Sequence, residues 1–465
     1  MADSTVPKFT TLLTGAAMGV YLLVVVGATA SLTDAAAACS GWPVCGRPLD
    51  FSDPALLVAL SHRLVAALVG LLVLLAVVRG LRGSASRRVK GALVGVLALY
   101  PLQVGIGALV ANSGGVGTLP TAHLLVGMGI FTGIVVALAW TLEEETAAFD
   151  NEPHEADDPE PARSPEAVTP LKDRPLAARA KATIWAYFQL MKPRLMWLLA
   201  LVAAAGMALA SGPGLSIQTV VYTLTGGVLS IGASGTFNHV LERDIDQKME
   251  RTAKRPLATH QVPVRNALIF GFALTGISLW VFAQVNLLVA ALGLTAILFY
   301  SVIYTLILKP NTVQNTVLGG AAGALPALIG WAAVTGDIGL PGLALAGVIF
   351  LWTPAHFYNL ALAYKDDYAR GGFPMMPVVR GDALTRKHIL WYLAATLIGA
   401  SVLGTVTTLG WLYALTTVSL GGVFLWAVVR LHRERTTGAA FRAFHASNAY
   451  LGMLLLAIIV DALVL

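Results

Sequence analysis

Two polar stretches interrupt an otherwise apolar chain, and both set acids beside bases. The first, residues 238–262, reads NHVLERDIDQKMERTAKRPLATHQV. Asn238, Glu242 and Asp246 recur every fourth residue, so on a helix they share one face. Oxygen donors in that arrangement suit a hard cation such as Mg²⁺ that also carries a phosphate among its ligands. Arg251, Lys254 and Arg255 follow closely and can neutralise a departing diphosphate. The second stretch, residues 364–382, reads YKDDYARGGFPMMPVVRGD and places Lys365 beside Asp366 and Asp367. Taken alone, the first stretch reads equally well as a solvated juxtamembrane turn of mixed charge. Two such loops at one membrane face point instead to a single site for metal-assisted loss of diphosphate.

The elements that must position them are membrane helices. Of 465 residues, 57% are hydrophobic and only 12% charged, whereas soluble domains carry about 25% charged residues. That composition excludes a soluble globular fold. Apolar runs of about 20 residues, each long enough to cross the hydrocarbon core as a helix, fall near 11–31, 56–78, 91–111 and 119–141. Nine more follow, near 195–211, 216–237, 265–284, 286–308, 314–334, 340–363, 388–408, 410–431 and 445–464. The fold expected is an all-α membrane protein of 13 transmembrane helices. It divides into a four-helix bundle over 1–141, a linker over 142–182 and a nine-helix domain over 183–465. From Glu143 to Glu166 the linker holds ten acids and one base, Arg163. Such a segment cannot bury a core and reads as disordered. The two domains are expected to act independently, with few contacts across the linker.

Basic residues orient the chain. Clusters follow span 2 (Arg79, Arg82, Arg87, Arg88, Lys90), span 6 (Arg243, Lys248 and onward), span 10 (Lys365, Arg370, Arg380) and span 12 (Arg430, Arg433, Arg435). With thirteen spans and a cytoplasmic N-terminus, all four lie on the cytoplasmic side, as the positive-inside rule requires. Both chemistry-bearing loops are then cytoplasmic and the C-terminus is outside. Lys8 ahead of the first span reads as the flank of a retained anchor, with a cleaved signal as the alternative. The net charge of +6 belongs to these loops, and no aromatic-basic interleaving suggests a nucleic-acid partner.

His62, His123 and His356 lie well inside apolar spans, where ionisable groups are costly and usually face a cavity. His356 stands beside Trp352 and Phe357, placed either to touch a haem or to bond a neighbouring helix. His62 and His123 enter spans 2 and 4 from the outer side at similar depth, as a bis-His haem site or as packing histidines would. Cys39 and Cys45 are the only cysteines, and both lie in the first outer loop, where they read as a disulfide, with free thiols or a metal site as the rival readings.

From about 185 to 465 the chain resembles the UbiA-type intramembrane prenyltransferases, and within them the haem-modifying branch. The resemblance rests on MKPR at 191–194, the N-x-x-x-E-x-x-x-D spacing at 238–246 and KMERTAKRPLATH at 248–260. It continues through QNTVLGGAAGALPALIGW at 314–331, WTPAHF at 352–357 and DDYARGGFPMMPVV at 366–379. It implies nine helices around a central cavity and a cell-membrane enzyme that moves a farnesyl or longer prenyl group from its diphosphate to a vinyl group of protohaem IX. It implies Mg²⁺ on Asn238, Glu242, Asp246 and Asp367. It also implies diphosphate contacts from Lys192, Arg194, Arg251, Lys254, Arg255 and Lys365, with Asp366 a further catalytic acid. Glu242 stands where the superfamily usually has Asp, and the acids of the second motif are adjacent rather than four apart. Competing readings are a prenyltransferase for another aromatic or lipid acceptor, and a haem transport or insertion protein.

Residues 10–140 resemble one half of the haem A synthase family through CSGWPVCG at 39–46, SHR at 61–63, QVGIGALVAN at 103–112 and TAHLLVG at 121–127. That resemblance implies haem between His62 and His123, and partners such as a haem A synthase or oxidase assembly factors. Ala59 stands where the family has a Glu.

Overall fold

The computed structural model describes residues 8–30, 35–48, 50–115, 117–150, 175–211 and 214–464. Within these, all regular structure is helical. The elements are α1 (Phe9–Ala30), α2 (Ala35–Ala38), α3 (Pro54–Arg82), α4 (Arg87–Ser113), α5 (Leu119–Asp150) and α6 (Leu176–Leu190). Next come α7 (Pro193–Ser211), α8 (Ile217–Asp246), α9 (Val264–Ala283), α10 (Leu287–Asn311), α11 (Asn315–Thr335) and α12 (Leu340–Ala363). The chain ends with the short α13 (Lys365–Arg370) and α14 (Met376–Arg380), then α15 (Asp382–Thr405), α16 (Trp411–Glu434) and α17 (Thr437–Leu463). Among the described residues, 13 helices are long and apolar enough to cross a membrane. A bilayer offers no water to backbone amides, so spanning segments close their hydrogen bonds internally as helices.

The described residues pack as two compact units. The first unit holds the helices up to α5 together with residues 386–450. In α3, Val69, Val73, Ala76, Val77 and Gly80 are buried while Leu64, Leu68, Leu71 and Leu75 are exposed. The exposed leucines follow helical spacing and form the lipid-facing stripe expected of a peripheral membrane helix. The expectation of few contacts between the N-terminal helices and the rest of the chain is not met. Tyr21 of α1 donates its hydroxyl to the Leu397 carbonyl at 3.2 Å. Arg433 of α16 bonds the Thr10 hydroxyl at 2.7 Å, and Lys387 of α15 pairs with Glu143 of α5.

The stretch read as a linker is helical at both ends. Helix α5 continues to Asp150 and α6 begins at Leu176. Glu and Ala are good helix formers, and Glu143 is held by Arg88 at 3.0 Å as well as by Lys387. Residues 151–174, the middle of that stretch, lie outside the described residues.

The second unit holds 152–385 and 451–465. Its tightest packing joins α7 to α11, where Gly206 and Gly330 let the two backbones meet. A Cβ at Gly206 would stand 2.5 Å from the Ala327 carbonyl oxygen, and one at Gly330 would strike the carbonyl of Ala203. Small residues at such crossings are the usual means of close helix packing in membranes. Helix α6 buries Ala186 and Leu190 against Leu257, Val262 and Ala267. It exposes Ile184, Trp185 and Phe188, residue types that suit the membrane interface.

Candidate active site

The first acidic motif is the last two turns of α8. Asn238, Glu242 and Asp246 lie on one face and are all buried, at 1%, 4% and 2% exposure. Buried carboxylates are costly unless paired, and each has a cation. Glu242 Oε1 meets Lys309 Nζ at the end of α10. Asp246 takes both of its oxygens to Arg255 Nη1, at 2.8 and 2.9 Å. Arg255 also stands 3.8 Å from Glu242.

The Lys192–Pro193 step places another cation here. Proline opens α7, and the residue before a proline avoids the helical region. Lys192 adopts φ +55°, a left-handed conformation that costs a residue with a side chain about 1–2 kcal/mol. Its ammonium meets Asn238 Oδ1 and lies 3.1 Å from the Tyr300 hydroxyl. Burial, with Arg255 nearby, pushes that ammonium down to about 7, against the opposing pull of Glu242 and Asp246.

Helix α10 contributes through an irregularity. Residues Phe299–Leu308 form a π-helical segment, a wider turn often found at functional sites. The Thr305 hydroxyl donates to the Tyr300 carbonyl at 2.8 Å and accepts from Asn238 Nδ2 at 3.1 Å. That bond fixes which way the Asn238 amide faces and leaves Oδ1 toward Lys192.

The second acidic motif divides into two roles. Asp367 is buried, and its carboxylate accepts from the backbone amides of Glu250 at 2.6 Å and Arg251 at 3.2 Å. Arg370 bonds the same carboxylate at 2.7 Å. Expected among metal ligands, Asp367 here ties the loop after α8 to the loop after α12. Asp366 is exposed. Lys365 pairs with Asp382 at 2.9 Å. Arg251 packs its guanidinium over the Tyr364 and Tyr368 rings, at 5.3 and 5.7 Å. Arg194 and Lys254 are exposed, and no contact draws them into the buried cluster. His356 is half-buried and stacked on Trp352 at 4.2 Å between ring centroids.

A cavity of about 240 Å³ opens beside this cluster. Lys192, Tyr300 and Tyr304 line its polar end, and Leu199, Ile231 and Phe282 are among the apolar residues along it. Thr353 and Phe357, neighbours of His356 on α12, also face it.

Mg²⁺ fits the donor set. Asn238 Oδ1 and the carboxylates of Glu242 and Asp246 present oxygens on one helical face, as a hard cation prefers, while Asn238 Nδ2 is taken by Thr305. The nearby Lys192, Arg255 and Lys309 suit the diphosphate that would accompany it. Lys309, Tyr300 and Thr305 were not identified from sequence. They lie more than fifty residues from the motif inside an apolar span, and the one signal is a lysine closing the run YSVIYTLILK.

In the first unit, Cys39 and Cys45 form a disulfide. Arg63 bonds the Cys39 carbonyl at 2.9 Å and the Pro43 carbonyl at 3.2 Å. His123 Nε2 lies 3.2 Å from Gln103 Nε2. The Nδ1 atoms of His62 and His123 are buried without a hydrogen-bond partner.

Comparison with known proteins identifies the family. Residues 198–453 match the UbiA prenyltransferase family. The protoheme IX farnesyltransferase of Haloarcula marismortui is 65% identical, with all of both chains covered. That of Halobacterium salinarum is 58% identical, again over the whole of both. A shorter protein of Saccharopolyspora erythraea, protoheme IX farnesyltransferase 1, is 46% identical over 61% of this chain and 92% of its own. Among solved structures, a digeranylgeranylglyceryl phosphate synthase aligns with TM-score 0.52 at 16% identity, covering 61% of this chain and all of the other; that likeness bears on the fold alone. The chain belongs to the UbiA prenyltransferase family, among its protoheme IX farnesyltransferases.

Proposed function

We propose that the chain transfers a farnesyl group from farnesyl diphosphate to a vinyl group of protohaem IX, yielding haem O and diphosphate. The observation that carries the reading is a buried cluster of paired acids and bases at the polar end of an apolar cavity. The diphosphate leaves with the electron pair of the C1–O bond. Lys192, Arg255 and Lys309 stabilise the charge that develops on it. Mg²⁺, when bound through Asn238, Glu242 and Asp246, supplies Lewis-acid stabilisation of the same oxygens. The vinyl group attacks the allylic cation at C1, and water adds to the resulting porphyrin-side cation, releasing one proton. The apolar cavity keeps water from the allylic cation before the vinyl group reaches it. Purified protein incubated with protohaem, farnesyl diphosphate and Mg²⁺ should yield a hydroxyethylfarnesyl haem of the corresponding mass. Haem retained unchanged under those conditions would favour a transport or insertion role. Prenylation of a quinone precursor in preference to protohaem would favour another acceptor.

The active-site loops face the cytoplasm in this reading, as the basic clusters imply. After Cys39 and Cys45 are replaced, a cysteine introduced at Ser84 should resist an impermeant thiol reagent in intact cells and react in inverted vesicles. Labelling in intact cells would reverse the orientation.

We further propose that the N-terminal helices bind haem between His62 and His123. The supporting observation is the pair of half-buried imidazoles, each with a buried Nδ1 that has no hydrogen-bond partner among the described residues. The full-length protein should show a six-coordinate low-spin haem spectrum that His62→Ala with His123→Ala removes. An unchanged spectrum in the double variant would make both histidines packing residues.

A further inference from the structure

The cavity has a defined far end. On α8 its lining runs from Gly235, beside Lys192, to Thr223 and Leu224. Phe282, near the end of α9, is fully buried and lines the same far end. Its ring is clamped by two glycines. A Cβ at Gly226 would stand 2.6 Å from Phe282 Cδ1, and a Cβ at Gly293 of α10 would also strike the ring. The ring belongs to a packed cluster with Met207, Val289, Ile329, Ala332 and Ala333. The ring therefore cannot swing aside without disturbing two helix backbones and a filled core.

We infer that Phe282 is the floor of the prenyl channel and limits the transferred chain to three isoprene units. This rests on the prenyl-transfer reading above. Gly226, against the ring, is nine residues from Gly235 on α8 and Thr223, the last lining position, is twelve, rises of about 14 and about 18 Å. Each isoprene repeat adds four backbone bonds of about 1.5 Å, so three zigzag repeats extend about 15 Å and four about 20 Å. With the diphosphate at Lys192 and Asn238, a farnesyl tail ends at the ring, and a geranylgeranyl tail must displace it. Gly227 also lines the cavity, and a Cβ there would meet nothing within 4 Å. A side chain at 227 would project into the channel just above the floor and shorten it.

The test compares geranyl, farnesyl and geranylgeranyl diphosphates with protohaem on full-length protein. Phe282→Ala should raise kcat/KM for geranylgeranyl relative to farnesyl at least tenfold over the parent. Gly227→Leu should shift preference toward geranyl by a similar factor. Phe282→Leu provides a gentler enlargement if Phe282→Ala does not fold. Folded variants with the parent's ratios would overturn the assignment. Binding of the three prenyl thiolodiphosphates, followed by calorimetry in the presence of Mg²⁺, gives a second readout. The same opposite shifts in affinity are expected there. If the parent prenylates no haem yet the affinities shift, the acceptor reading fails and the floor stands. If it prenylates haem and neither ratio nor affinity moves, the floor alone fails.

Discussion

Asp246→Ala is expected to lower prenyl transfer about a thousandfold while the protein still inserts and folds. Asp246 is the last acid of the α8 face, 2% exposed, with both oxygens engaged by Arg255. Removing one preorganised charge-stabilising group typically costs 10²–10³ in turnover. Loss of the carboxylate also removes an oxygen donor from the proposed Mg²⁺ site and leaves Arg255 without its close partner. Glu242 remains 3.8 Å from that guanidinium, so the buried charge is not stranded and the fold should survive. Single-turnover rates at saturating Mg²⁺, together with Mn²⁺ binding by paramagnetic resonance, check the outcome. Parental turnover and parental Mn²⁺ affinity in the variant would remove Asp246 from the mechanism.

Asp367→Ala should cost activity by a different route, and stability with it. The Asp367 carboxylate satisfies the Glu250 and Arg251 amides and the Arg370 guanidinium. Leaving a buried donor unsatisfied costs about 1–3 kcal/mol, and removing one partner of a buried ion pair costs about 3–5 kcal/mol. Those losses fall on the tie between two loops, so Arg255 loses its placement on Asp246 and Arg251 its place over Tyr364 and Tyr368. The expected result is a fall of at least a hundredfold in turnover accompanied by a lower unfolding temperature. Asp366→Ala, at an exposed position, should lose at least tenfold less activity and leave the unfolding temperature unchanged. If Asp366→Ala proves the more damaging, the roles assigned to the two acids are reversed.

The adjacent acids illustrate what sequence alone can give. The count of intervening spans implies that their loop shares a membrane face with the loop after α8, but successive helix positions point about 100° apart. Only packing distinguishes the buried Asp367 from the exposed Asp366. The four-residue spacing of Asn238, Glu242 and Asp246 was legible because a helical face is a local property. The thirteen spans were legible for the same reason, each being a continuous apolar run. Lys309, Tyr300 and Thr305 were not, since a π-helical segment breaks the spacing rules and the partners meet across two helices. Nor were the helical ends of the acidic stretch, where composition argued for disorder while Arg88 and Lys387 hold Glu143 in place.

The first unit joins the opening helices to residues 386–450, with more than 200 intervening residues assigned to the other unit. Tyr21 waits 376 positions for the Leu397 carbonyl, and Thr10 waits 423 for Arg433. During synthesis, helices α1 to α5 therefore enter the bilayer long before their partners leave the ribosome. These contacts close only after residues 397 and 433 have emerged, and a chain stalled before residue 386 leaves that face of the early helices in contact with lipid. The first unit is topologically clasped, its opening helices fastened by α15 and α16.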